Sequence, residues 1–119
     1  MAQHNNTGRL GEQLAAELLL NKGYKILEKN WRWGKGEIDL ICTYQDSLIF
    51  VEVKTRSVST FGHPEDAVSE KKQQRMFELA AEYMFRIQYE EEYRFDIISI
   101  VLQPKLDIKH YQDAFFPHW

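Results

Sequence analysis

Cysteine is almost missing from this chain: Cys42 is the only one in 119 residues. No internal disulfide can form, and its place in an apolar run predicts a packed thiol rather than a nucleophile. Long hydrophobic runs are absent too. None approaches the roughly 18 residues of a membrane span, and the polar opening Met1 to Thr7 has no signal-peptide apolar region. The expectation is a cytoplasmic protein without membrane attachment. Neither sign of charge dominates: 15 Lys and Arg against 18 Asp and Glu leave a formal charge of -3. A protein that coats nucleic acid nonspecifically is thereby disfavoured, whereas one that concentrates its cations at a single cleft is not. The histidines His4, His63, His110 and His118 show no zinc spacing. Repeats, low-complexity segments and long linkers are lacking, so residues 1–119 read as one domain, long enough to bury about two-thirds of its unfolded surface.

The informative stretch is Gly36 to Arg56. Ile38 to Tyr44 and Leu48 to Thr55 are β-rich runs separated by Gln45-Asp46-Ser47, which predicts a hairpin. A turn centred on Gln45 and Asp46 sets Asp39 opposite Glu52, roughly 4.5–5.5 Å apart at Cβ. Lys54, two residues beyond Glu52, falls on the same face. One alternation of the hairpin carries Ile38, Leu40 and Cys42, the other Ile41, Leu48 and Phe50, so both faces are expected to be covered. Facing carboxylates repel unless a cation lies between them. Mg²⁺ suits hard carboxylate oxygens, and a neighbouring lysine can orient water and stabilise charge on a phosphate under attack. The alternative is a solvated cross-strand ion pair, with Glu37 opposite Lys54 as an example.

Around this hairpin the pattern predicts a helix over Thr7 to Lys22, with Thr7 as N-cap and Gly23 as stop. Its Glu12 shares an edge with Ala16 and Leu19 rather than with exposed Gln13 and Glu17; a dipole-favoured glutamate near a helix start is the other reading. Tyr24 to Trp33 reads as a strand turning at Gly34 and Gly36. Trp31 and Trp33 are either base-stacking groups or core and rim residues, and Arg32 and Lys35 are candidates to touch phosphates. Ser57 to Pro64 reads as a polar loop and Glu65 to Val68 as a short turn. A second helix runs from Ser69 to Gln88, its start carrying Lys71, Lys72 and Arg75, with Lys72 and Gln73 extending its buried side. Tyr93 to Leu102 and Leu106 to Tyr111 are strands, and the tail from Ala114 to Trp119 either packs back or makes a homodimer contact. The order α-β-β-β-α-β-β gives an α/β sandwich around a central mixed five-stranded sheet.

Asp39 followed by Glu52-Val53-Lys54 resembles the D...(D/E)-x-K signature of the restriction-endonuclease-like, or PD-(D/E)xK, nuclease superfamily. With Gly8-Arg9-Leu10-Gly11-Glu12, Gly36-Glu37-Ile38-Asp39, Phe50 to Arg56 and Phe95-Asp96, the chain is similar to the YraN-like family, which resembles archaeal Holliday-junction resolvases. Ile38 stands where the superfamily name has proline. The resemblance implies a restriction-endonuclease-like sandwich and a metal-dependent endonuclease hydrolysing DNA rather than RNA, with branched or structured DNA as its substrate. It implies Mg²⁺ or Mn²⁺ held by Asp39, Glu52, the Val53 carbonyl and Glu12, with Lys54 orienting water. Arg9, Thr55, Arg56, Lys72 and Gln73 are the implied nucleic-acid contacts, and Asp96 is carried near the sheet centre, to pair with a basic neighbour instead of binding metal. The alternative is a non-catalytic nucleic-acid-binding module of the same fold.

Overall fold

The computed structural model describes residues 6–58 and 68–117. Its elements are α1 (Asn6–Asn21), β1 (Lys25–Trp33), β2 (Gly36–Tyr44), β3 (Ser47–Val58), α2 (Glu70–Arg86), β4 (Tyr93–Gln103) and β5 (Asp107–Phe115). The five strands form one sheet in sequence order. β3 and β4 are parallel, joined across α2, and the other neighbours are antiparallel. The expected α-β-β-β-α-β-β order and mixed sheet are present, consistent with a restriction-endonuclease-like fold.

The two helices cover opposite faces of the sheet. Leu48 and Phe50 of β3 pack with Met76, Leu79, Ala80 and Tyr83 of α2. The residues between and after them, Ile49 and Val51, pack with Ala15 and Leu19 of α1. Alternate residues of one strand therefore reach different helices. The Ile97-Ile98 doublet of β4 has the same cause, since Ile97 joins the α2 side and Ile98 the α1 side.

Local chemistry sets the boundaries. At the end of α1, Gly23 takes φ +91°, its amide donates to the Leu20 carbonyl, and the Tyr24 amide donates to the Leu19 carbonyl at 2.9 Å. This is a Schellman stop, as the glycine predicts. Thr7 is not the N-cap, because α1 already includes Asn6. Ser69 does cap α2, its hydroxyl accepting from the Lys72 amide at 3.1 Å. Gly34 and Lys35 form the β1–β2 turn between the paired Trp33 and Gly36, with Gly34 at φ +60°.

Two expectations change. β3 runs on to Val58, held by the parallel ladder to Gln103 of β4, so Ser57 and Val58 belong to the strand and not to a loop. The rest of that loop and the turn after it, 59–67 with His63, lie outside the described residues, as do His4, His118 and Trp119. β5 extends to Phe115, which is 6% exposed and stacks on Phe95 at 5.3 Å, so this part of the tail packs back. On the α1 face, buried Asp96 pairs with basic neighbours: it accepts from Arg94 Nε at 2.9 Å and Nη2 at 3.1 Å, and from the Asp113 amide at 2.9 Å. His110 Nε2 lies 2.7 Å from its Oδ2.

A candidate metal centre where two strands change facing

The hairpin register is the expected one. Tyr44 pairs with Ser47 and Leu40 with Val51, so the next rung would set Asp39 against Glu52. The ladder stops there. In a continued antiparallel pattern the Val53 amide would bond to the backbone of β2, but it donates instead to Asp39 Oδ2 at 2.8 Å.

The strand also changes facing at this point. Ile38 packs with Ile41 on the α2 side, whereas Leu40 and Cys42 pack on the α1 side. Strict alternation, which groups Ile38 with Leu40 and Cys42, fails at Asp39. The same switch occurs in β1 at the position facing Asp39: the register Lys29 to Leu40 and Trp31 to Ile38 sets Asn30 there, with φ +52°. Glu28 accepts from the Tyr83 hydroxyl at 3.3 Å, and Trp31, three residues on, meets the Tyr83 ring edge-on at 5.2 Å. Two residues an odd number apart thus face one helix. A left-handed backbone disrupts the pleat, and asparagine tolerates it better than most residues.

Three carboxylates converge at this dislocation. Glu12 of α1 and Glu37 and Asp39 of β2 bring one oxygen each within 4.8 Å of one another. Asn30 Nδ2 donates to Glu12 Oε1 at 3.1 Å and to Glu37 Oε2 at 3.5 Å, and Arg32 Nε lies 2.9 Å from Glu37 Oε1. Burial, then the Glu52 charge, pushes the Asp39 carboxyl up to about 8; Glu12 adds to this, while the Val53 amide opposes it. Glu52 is 3% exposed. Its Oε2 is 2.5 Å from Lys72 Nζ and 3.9 Å from Lys54 Nζ.

A cleft of about 390 Å³ opens over Glu37, Asp39 and Glu52, and its other charged lining is Lys35, Lys71, Lys72 and Arg75. Anionic floor and cationic walls suit a metal beneath a phosphodiester. The structure thus gathers Glu12, Asp39, Glu52, Lys54 and Lys72. Val53 supplies its amide to Asp39. Thr55 is a packing residue: a Cβ on Gly11 would fall 1.8 Å from its Oγ1, which is how closely α1 approaches β3. Gln73 turns away from the cleft and donates to the Val68 carbonyl at 2.9 Å. Arg9 is exposed on α1 and Arg56 half-buried on β3; neither lines the cleft. Cys42 is buried with its thiol pushed up to about 12 by burial, which makes it inert.

Sequence reasoning missed Glu37 and Asn30 as site residues. Glu37 carried a signal, since it precedes Asp39 by two residues just as Glu52 precedes Lys54. Asn30 carried none, because its role depends on a backbone angle and on the residue opposite.

Fold and site define an α/β sheet domain with a carboxylate-floored, lysine- and arginine-walled cleft at a break in its central strands. The chain belongs to the Uncharacterised protein family UPF0102, whose model matches residues 11–100; this is the YraN-like family to which its motifs pointed. It is 42% identical over 118 residues to a UPF0102 protein of Phocaeicola vulgatus, covering 98% of both chains. A Flavobacterium psychrophilum UPF0102 protein is 44% identical over 117 residues, again with 98% of both covered. One from Caldanaerobacter subterraneus subsp. tengcongensis is 46% identical over 99 residues, 82% of this chain and 81% of the relative. The matched span includes Glu12, Glu37, Asp39, Glu52, Lys54 and Lys72, and leaves out Arg9.

Proposed function

We propose that this protein is a metal-dependent nuclease of the PD-(D/E)xK type that hydrolyses DNA phosphodiesters, with branched or structured DNA as substrate. The observation that carries the reading is Asp39: partial burial, then the charges of Glu52 and Glu12, push its carboxyl up to about 8, a cost that a divalent cation would reduce. The donor set fits such an ion, since all its members are hard oxygens and three of them lie within 4.8 Å of one another. Asp39, Glu12, Glu37 and Glu52 would hold Mg²⁺ or Mn²⁺, with the Val53 carbonyl beside them. Bound there, the ion would act as a Lewis acid that acidifies water and offsets charge on the phosphate oxygens.

The chain's own residues do the rest. Lys54, 3.9 Å from Glu52, would orient the attacking water and stabilise charge on the phosphate oxygens. Lys35, Lys71 and Arg75 hold flanking phosphates in the cleft. Lys72 neutralises Glu52 in the metal-free protein.

The test is cleavage of labelled linear duplex, single strand, flap and four-way junction by wild type and Glu52→Ala in Mg²⁺, Mn²⁺ or EDTA. The expected outcome is metal-dependent cutting, at least about 100-fold slower in the variant. Folded wild type that cuts nothing with either metal would sink the proposal. A second reading, a binding module that does not cleave, draws on the Lys72–Glu52 contact, which gives Glu52 a counter-ion without a metal. It requires salt-sensitive DNA binding that survives Asp39→Ala.

A further inference from the structure

Two tryptophans of β1 behave differently. Trp31 is enclosed by Tyr83 and by Arg86, whose guanidinium carbon lies 5.5 Å from its ring. Trp33, at the hairpin tip, is 43% exposed. The tip is pressed onto α2, because a Cβ on Gly36, the residue paired with Trp33, would fall 2.8 Å from Leu79 Cδ1. Beside it is a depression of about 150 Å³ that Trp33 lines together with Lys35, Arg75 and Glu78. Lys35, Gly36, Arg75 and Leu79 also line the carboxylate cleft, so the two spaces adjoin. Gly36 and Asp39 are three strand residues apart, roughly 10 Å.

We propose that this depression is a subsite for one unpaired nucleotide of a DNA strand: its base stacks on Trp33 and its phosphate lies between Lys35 and Arg75, next to the cleft. The inference rests on the nuclease reading and narrows its substrate to DNA with unpaired bases beside the cut. An exposed indole at a fixed place between cations offers a base what it seeks, a flat apolar face with countercharge for the attached phosphate. Glu78 makes a site for a bare anion unfavourable, and a neutral base against the indole avoids that repulsion. Inside a duplex each base is already covered by its neighbours, so only a single strand, flap or branch can present the free face.

The test is binding by fluorescence anisotropy in EDTA, where the result does not depend on catalysis. The probes are a fluorescein-labelled oligothymidylate strand and a blunt duplex containing that strand; the proteins are wild type, Trp33→Ala and Trp33→Phe. Trp33→Ala is expected to weaken single-strand binding about tenfold, the scale of a lost base–aromatic stack, with duplex binding unchanged. Trp33→Phe is expected to keep most of the single-strand affinity. The subsite is overturned if Trp33→Ala leaves single-strand binding intact, if it weakens both probes equally, or if Phe is as poor as Ala. Wild type that binds neither probe would overturn the nucleic-acid reading itself, which separates the two failures.

Discussion

Asp39 is the residue whose ionisation is most at odds with its surroundings. Its carboxyl titrates at about 8 in the folded chain, against an ordinary value of 3.8. A raised folded pKa contributes stability that is complete below the unfolded value and is lost as the pH climbs to the folded one. Metal-free protein should therefore lose stability as the pH rises from about 4 to about 8, with this contribution flat above. Thermal melts in EDTA across that range check it. Asp39→Asn should flatten the decline, and an unchanged slope in the variant would remove Asp39 as its source. Asp96 behaves in the opposite way. Burial works to raise it, but hydrogen bonds from His110, Arg94 and the Asp113 amide outweigh that and hold its carboxyl low. The stability it contributes is present above the usual carboxylate range and is lost as acid protonates it. Two aspartates on one sheet, Asp39 half-buried and Asp96 buried, thus differ by what surrounds them: one faces carboxylates, the other hydrogen-bond donors.

At the scale of elements, β1 and β2 switch facing at the matched positions Asn30 and Asp39. Without that dislocation a strict pleat would keep Ile38 on the face of Leu40 and Cys42. Asn30 meets two demands at once, a left-handed backbone and a donor to Glu12 and Glu37. Asn30→Ala should destabilise by about 2 kcal/mol, combining the left-handed penalty on a Cβ with a lost hydrogen bond to a charged group. Asn30→Gly relieves the first cost and should be milder by about 1 kcal/mol. Urea unfolding decides this: Ala and Gly variants of equal stability would show that the backbone angle is not held as described. β5 makes a comparable adjustment, since its register with β4 shifts between Phe95 and Ile97 and the Asp113 amide is turned to Asp96.

Across the whole molecule, the candidate site exists because the sheet is clamped from both faces. α1 brings Glu12 to the break in the strands, and α2 brings Lys71, Lys72 and Arg75, which with Lys35 of the β1–β2 turn wall the cleft. The fit on the α1 side is close, with Gly11 against Thr55. Gly11→Ala should push α1 outward at a cost of about 1–3 kcal/mol, the range of overpacked sites, and should weaken Mn²⁺ binding by withdrawing Glu12. Adding Thr55→Ala should recover part of both losses. Calorimetric titration of Mn²⁺ alongside urea melts measures the pair. Full Mn²⁺ affinity in a destabilised Gly11→Ala would leave Glu12 out of the ligand set. Among the described residues no helix is long and apolar enough to cross a membrane.

The sequence by itself determined the element order, the Gln45-Asp46 turn, the Asp39–Glu52 register, the Ser69 cap and the Gly23 stop. Each of these depends on local chemistry or on a period carried by neighbouring residues. It also determined that Asp39 lies near Glu52 and Lys54 beside Glu52, because the hairpin register carries as far as Leu40 and Val51, one residue short of the pair. Only the tertiary structure decided the change of facing at Asn30 and Asp39, the inclusion of Glu37, the pairing of Lys72 with Glu52, the continuation of β3 to Val58 and the return of Phe115 to the core. These depend on contacts between elements far apart in the chain, where a partner strand or an opposing helix sets which residue is buried and which charge is answered.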